Sequence, residues 1–276
     1  MNDLGIERLC VFGMNPVEFA HLAADLGCPC IGIGLQAMRY YNPHDYPDWS
    51  LRTDLGLRQE LTAVLRDRGV RISLLEGFGI APGNDVREQG GDLDLLCELG
   101  GNRINAASID RDVQRTFDAF AALAEMAAER GIEVTTEIGV GPIRNLSAAL
   151  DAVRHVGRPN FRLLIDTMHY FRGGGSIKEL TLVDPALIGY VQLADVPLVS
   201  RFSSYMEEAL HERLVPGAGE LPLRDFLTLI PREVVISIEV PQRSLAQAGI
   251  GPRERIGACI DAVRAMLGTA VTASVS

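Results

Sequence analysis

Eight short runs rich in Ile, Val and Leu recur along the chain, and longer amphipathic segments separate them. The runs are Arg8–Phe12, Cys30–Gln36, Arg71–Phe78, Arg103–Ser108, Glu133–Ile138, Phe161–Asp166, Gly189–Ala194 and Val234–Val240. Each is too short for a stable helix, and unbroken apolarity marks strands covered on both faces. Helix signals lie between them. Asn15 is placed to cap a helix with Pro16 in its first position, and Gly27 follows its end. Val113, Phe117, Phe120, Ala121 and Ala124 share one helical face, as do Ile256, Ile260, Val263 and Leu267. Eight repeats in 276 residues give roughly 34 residues each, the size of a βα unit. An α/β protein built as a single (β/α)8 TIM barrel over residues 1–268 is therefore predicted, ahead of an open doubly wound sheet. No compositional break divides the chain, and the small, polar residues 269–276 are expected to fray.

Charge and rare residues exclude several functions. The chain has 36 acidic and 26 basic residues, a formal charge of −10, which argues against a nucleic-acid-binding face. Lys178 is the only lysine, so Schiff-base chemistry has a single candidate, and it falls in a predicted helix after a glycine run. The cysteines Cys10, Cys28, Cys30, Cys97 and Cys259 are odd in number and form no C-x-x-C pair. That predicts buried, reduced thiols in a cytoplasmic protein. MNDLGIERLC has no signal-peptide pattern, and no run approaches the ~20 apolar residues of a membrane helix.

Two connections are long. Residues 37–53 contain Tyr40, Tyr41, His44, Tyr46 and Trp49, and residues 196–221 form the second. Both follow strands, so both belong at the C-terminal mouth of a barrel, where active sites form. Loops of this length serve as lids or as contacts in a homo-oligomer. Tyr40 and Trp49 are candidate substrate-pocket residues, together with Phe12 and Glu76 in the first and third strand runs.

The strongest chemical signal is four polar residues near strand ends: Glu137 in VTTEI, Asp166 in LLID, Gln192 in YVQLAD and Glu239 in ISIEVP. Buried carboxylates need a partner that offsets desolvation. Strand parity places Glu239 with Ser237 and Val235, and Glu137 with Thr135, so all four can face the barrel axis. Three carboxylates and an amide oxygen make a hard donor set that suits one Mn²⁺ or Mg²⁺ ion, which would offset their mutual repulsion. His169 stands just past Asp166 and is expected to contact substrate. His21, His155 and His211 fall on helices or a loop away from strand ends and read as structural.

At these residues the chain resembles the xylose isomerase-like TIM-barrel superfamily of sugar isomerases and epimerases. The matching pieces are TTEIG around Glu137, LLIDTMH from Asp166 to His169, YVQLADV around Gln192, VPGAGELPL from Val215 and SIEVP around Glu239. The resemblance implies that Glu137, Asp166 and Glu239 bind metal, that Glu137 and Glu239 also exchange protons with substrate carbon, and that His169 and Arg201 contact substrate. The family usually has histidine where this chain has Gln192, and an acid where it has Ala218. An amide oxygen binds transition metals more weakly than imidazole, and the glycine motif is expected to shape the lid.

These features predict a metal-dependent isomerase or epimerase of a sugar-like keto-polyol, working through an enediolate-type intermediate. A dehydratase of an inosose or 3-dehydroshikimate-type substrate shares that intermediate and is the alternative. A non-catalytic barrel subunit is the further one, suggested by Gln192. An apurinic-site endonuclease would need more histidine ligands than five histidines provide and a cationic face. Arg39, Arg172, Arg201 and the Gly173–Ser176 run could clamp a phosphate, but the shortage of cations favours an unphosphorylated, polyhydroxylated small molecule.

Overall fold

The apolar runs become parallel strands that close on themselves in chain order. The computed structural model describes residues 2–38 and 42–273. Its strands are β1 (Leu4–Glu7), β2 (Cys30–Ile33), β3 (Arg71–Ile80), β4 (Arg103–Ser108), β5 (Glu133–Glu137), β6 (Phe161–Asp166), β7 (Ile188–Leu193) and β8 (Val235–Ile238). They form one closed barrel, with β8 pairing back to β1 through Leu4 opposite Ile236 and Ile6 opposite Ile238. Helices occupy the connections, as a (β/α)8 TIM barrel requires.

Strand parity sets two apolar layers. Leu163, Ile165, Val191, Ile236 and Ile238 belong to the large core between strands and helices. Cys30, Leu74, Leu164, Tyr190 and Val235 form a separate small cluster that plugs the barrel interior. Leu164 shares its strand face with Asp166, and Tyr190 with Gln192, so the inner face turns polar toward the mouth.

The expected first strand is corrected. Arg8–Cys10 is a 3₁₀ turn, and the strand lies one step earlier, at Leu4–Glu7. The run Leu9–Phe12 is apolar because it is buried as a turn over the end of β8. There the Cys10 thiol donates to the Ile238 carbonyl (3.2 Å) and accepts from the Val240 amide (3.1 Å). Burial alone does not distinguish a strand from a packed turn. The correction makes Glu7 the last residue of β1 and Arg8 the first beyond it.

The helix signals hold with one rotation. Asn15 accepts from the Val17 amide (2.9 Å), with Pro16 at the first helical position. In the helix Val113–Ala128 the buried face is Thr116, Phe120, Leu123, Ala124 and Ala127, whereas Val113 is exposed. The final helix, Pro252–Ala273, buries Ile256, Ile260, Val263 and Leu267 as expected, and continues as helix past Leu267. Four cysteines are buried and Cys97 is exposed. No helix among the described residues is long and apolar enough to cross a membrane.

Candidate active site

Carboxylates gather at the C-terminal mouth. Glu137 ends β5, Asp166 ends β6, and Glu239 directly follows β8. A cavity of about 410 Å³ is lined by Arg8, Glu76, Glu137, His169, Arg213 and Glu239, among others. Each strand delivers its acid because parity turns it inward, and the β-to-α connections leave the mouth open.

The acids meet in two separate groups, which Arg213 links through Asp166 and Glu239. Ligand atoms of Glu137, Asp166 and His169 lie within 4.8 Å of one another, as do those of Glu7, Glu76 and Glu239. Asn105 on β4 donates to Glu137 Oε2 (3.4 Å), and His169 Nε2 stands 3.4 Å from Glu137 Oε1. His169 Nδ1 is hydrogen-bonded to the Tyr205 hydroxyl, which fixes the ring. The Asp166 side chain also accepts from the His169 amide (3.0 Å), so one carboxylate caps the helix Thr167–Arg172 and faces the site.

An arginine occupies the centre. Arg213 Nη1 lies 2.5 Å from Asp166 Oδ2 and 3.0 Å from Glu239 Oε2, and all three side chains are buried. The chain around it is pinned: Arg213 Nε donates to the Ala209 carbonyl (2.9 Å) and its amide to that of Pro241 (2.9 Å).

Protonation follows from this arrangement. Burial pushes the Glu137 carboxyl up to about 8, and the charge of Asp166 adds to the rise. Burial likewise raises Glu7 to about 8, with Glu76 reinforcing it. Glu239 is held well above the ordinary range, first by burial. Burial opposes charge on Asp166 too, but the Arg213 guanidinium, His169 and the hydrogen bonds from Glu239 and the His169 amide together hold Asp166 below the usual carboxylate range. Burial lowers His169, so its imidazole favours the neutral form.

The structure brings some expected residues together and separates others. Glu137, Asp166 and Glu239 converge. The Gln192 side chain is buried, and its Nε2 donates to Glu76 Oε1 (3.1 Å). Glu76 lines the cavity. Arg201 is exposed and does not line this cavity. Trp49 donates its indole N–H to the Gly13 carbonyl (3.0 Å) and walls an adjoining recess. Phe12 is buried in the core under the Arg255 guanidinium. Tyr40 and Arg39 lie outside the described residues. Arg172 pairs with the buried Glu208, and Gly175 packs on the Tyr170 ring beneath a Ser176–Glu179 capping box, so that glycine run makes a turn. The loop 196–221 supplies the helix Tyr205–His211, whose Tyr205, Met206, Ala209 and Leu210 cover the cavity.

Two residues went unforeseen. Arg213 sits in an irregular segment, where no periodicity marks an inward side chain. Glu7 carries the same strand-end signal as the other acids and was hidden by the misplaced first strand. Tyr190 donates to Glu7 Oε1 (2.8 Å), while Glu7 Oε2 is buried without a hydrogen-bond partner.

The donors fit a hard divalent cation. Five carboxylates surround a mouth whose lining has two arginines, and three of the acids are forced toward the neutral form. The orphaned Glu7 oxygen marks the same deficit of positive charge.

Comparison with known proteins is consistent with this geometry. A family model described as xylose isomerase-like TIM barrel matches residues 20–265. A 3-dehydroshikimate dehydratase from Pseudomonas aeruginosa is 29% identical over 186 residues, covering 62% of this chain; the chain spans only 29% of that protein. Among solved structures, a zinc-bound IolI protein superposes with a TM-score of 0.77 at 17% identity, covering 98% of each chain. An L-ribulose 3-epimerase gives 0.72 at 16% identity, covering 99% of this chain and 97% of the other.

Proposed function

The chain belongs to the xylose isomerase-like TIM-barrel family, and on that premise we propose that it is an enzyme that moves a proton at the carbon beside the carbonyl of a hydroxylated ketone, as an isomerase or epimerase does. One observation carries this reading. Glu137 and Glu239 come from well-separated strands and line one cavity, Glu239 buried and Glu137 largely so, with both carboxyls held above the ordinary range. Carboxyls raised above the ordinary range are suited to giving and taking protons in a reaction.

A divalent cation, Mn²⁺ or Mg²⁺, would be held by Glu137, Asp166 and Glu239 with His169 or Gln192 beside them, and would supply polarisation of the substrate carbonyl. The rest falls to the chain itself. One of Glu137 and Glu239 takes the proton from carbon, and the other returns one. Asp166 stays ionised and orients Arg213. The Tyr205 hydroxyl holds the His169 ring so that Nε2 faces the substrate space. The Tyr205–His211 helix limits water access.

A second reading is dehydration, in which the same carbanion expels a β-hydroxyl. The sequence relative named as a 3-dehydroshikimate dehydratase favours it. The retained pair Glu137 and Glu239 supports catalysis over a non-catalytic barrel subunit.

Incubation with ketoses, inososes and 3-dehydroshikimate in Mn²⁺-containing D₂O tests the proposal. Deuterium should enter the carbon beside the carbonyl, and E239Q should abolish both labelling and Mn²⁺ binding. Turnover without label would overturn it.

A further inference from the structure

Arg8 is the cation of the cavity that has no set task. Arg213 is committed to Asp166 and Glu239, and Arg172 to Glu208. Among the described residues the Arg8 guanidinium makes no hydrogen bond. Its nearest carboxylate oxygen, Glu76 Oε2, is 3.6 Å from Nε, beyond hydrogen-bonding distance. Yet the side chain is only 23% exposed, and it lines the catalytic cavity and two adjoining recesses. Beyond this single long ion pair with Glu76, the guanidinium keeps its hydrogen-bond donors available to a ligand in the cavity.

The backbone is shaped for this placement. A Cβ built on Gly34 would stand 1.7 Å from Arg8 Nη1 and 2.8 Å from Cζ. The end of the guanidinium therefore occupies the space a side chain at position 34 would take, so any other residue there would displace it. The neighbouring Gly32 makes the same room for Glu7, with a built Cβ 1.9 Å from Glu7 Oε2. The alternation IGIG at the end of β2, with Gly34 just past the strand, thus opens space for two successive side chains from the end of β1.

We propose that Arg8 anchors an anionic group of the substrate and that this group is a carboxylate, so that the substrate is a hydroxylated ketone carrying a carboxylate. This deepens the proposed function and rests on it. The planar fork of a guanidinium matches a carboxylate. One cation balances one negative charge, whereas a phosphate dianion would add a second charge beside Glu76, Glu137 and Glu239. The carboxylate end would sit on Arg8, leaving the carbonyl end for the Glu137–Glu239 pair.

Calorimetric binding of shikimate, a cyclic polyol with a carboxylate and no ketone, tests this in Mn²⁺-containing buffer, with myo-inositol as the uncharged probe and shikimate 3-phosphate as the phosphate probe. Shikimate should bind wild type, and R8M should weaken it about tenfold or more, the worth of a charge-assisted pair. G34A should act alike by pushing the guanidinium aside without removing it, which separates lost anchoring from misfolding. Myo-inositol binding should change little in either variant. Unchanged shikimate affinity in R8M, no shikimate binding to wild type, or a preference for shikimate 3-phosphate would each overturn the proposal. Arg8-dependent shikimate binding without deuterium exchange into 3-dehydroshikimate would instead refute the reaction and leave the carboxylate site standing.

Discussion

Arg213 donates to Asp166 across 2.5 Å inside the barrel mouth, and the same nitrogen lies 3.0 Å from Glu239. The guanidinium thus occupies part of the space between acids that a divalent cation would neutralise. Both cations answer the same excess of buried negative charge, so arginine and metal share these carboxylates. Removing one partner of a buried pair leaves an uncompensated charge, which costs about 3–5 kcal/mol. R213M should therefore lower the Tm of the metal-free protein markedly. Mn²⁺ should raise the Tm of R213M more than that of wild type, because the cation now meets unshared oxygens. An equal Mn²⁺ increment in both proteins would show that arginine and ion do not share them.

The two glutamates should separate chemistry from folding. Losing a positioned acid or base reduces rates by about 10²–10⁴. E137Q and E239Q should each lose that much proton exchange. Burial already holds Glu137 neutral up to about 8, and an amide is the isostere of the neutral acid. E137Q should therefore keep or slightly raise the Tm of the metal-free protein, measured beside its exchange rate. A large fall in Tm would assign Glu137 a structural charge instead.

Stability should depend on pH with a definite sign. Glu7 and Glu137 titrate near 4.5 when unfolded and are raised to about 8 in the folded protein. Between those values the native state binds more protons than the unfolded state, so unfolding free energy falls as pH rises. Metal-free protein should lose stability from about pH 4.5 to about pH 8, on the order of a few kcal/mol. E7Q and E137Q should each flatten the slope, and saturating Mn²⁺ should flatten it further. Urea titrations across that range give the slope, and stability rising with pH would contradict the buried neutral acids.

How much of this was readable from residues alone depends on local regularity. Glu137, Asp166 and Glu239 were visible because a charge at the end of an apolar strand run has few structural explanations, and strand parity fixes its direction. The barrel was visible because eight runs repeat at βα spacing. Leu4–Glu7 was not, since Gly5 and Glu7 weaken its strand pattern while the buried turn Leu9–Phe12 imitates one. Arg213 was hidden because an irregular loop carries no periodicity. Its position is set by tertiary bonds to Ala209 and Pro241. Gln192 was expected among metal ligands, and its amide hydrogen bond to Glu76 depends on a neighbour that spacing alone does not reveal.

Asp195 explains how the glycine-rich loop after β7 is held, and it supports the final prediction. Its buried carboxylate accepts from the amides of Gly217 (2.8 Å), Gly219 (3.0 Å) and Leu221 (3.1 Å), and from that of Val196 (2.9 Å). A Cβ on Gly219 would stand 2.2 Å from Asp195 Oδ1, so the loop wraps the carboxylate closely. The motif shapes the connection without entering the cavity lining. Asp195 also bridges to Leu214 through paired backbone bonds, next to Arg213. D195A removes an acceptor from four amides, and hydrogen bonds to a charged group are worth about 1.5–3 kcal/mol each before the loop relaxes. Amide exchange at Gly217, Gly219 and Leu221 should accelerate sharply, with a smaller fall in global Tm, because the loop can open without unfolding the barrel. Arg213 would then lose a neighbour that fixes its backbone, so proton exchange on substrate should slow as well. Fast loop exchange with undiminished turnover would show that the loop and Arg213 are positioned independently.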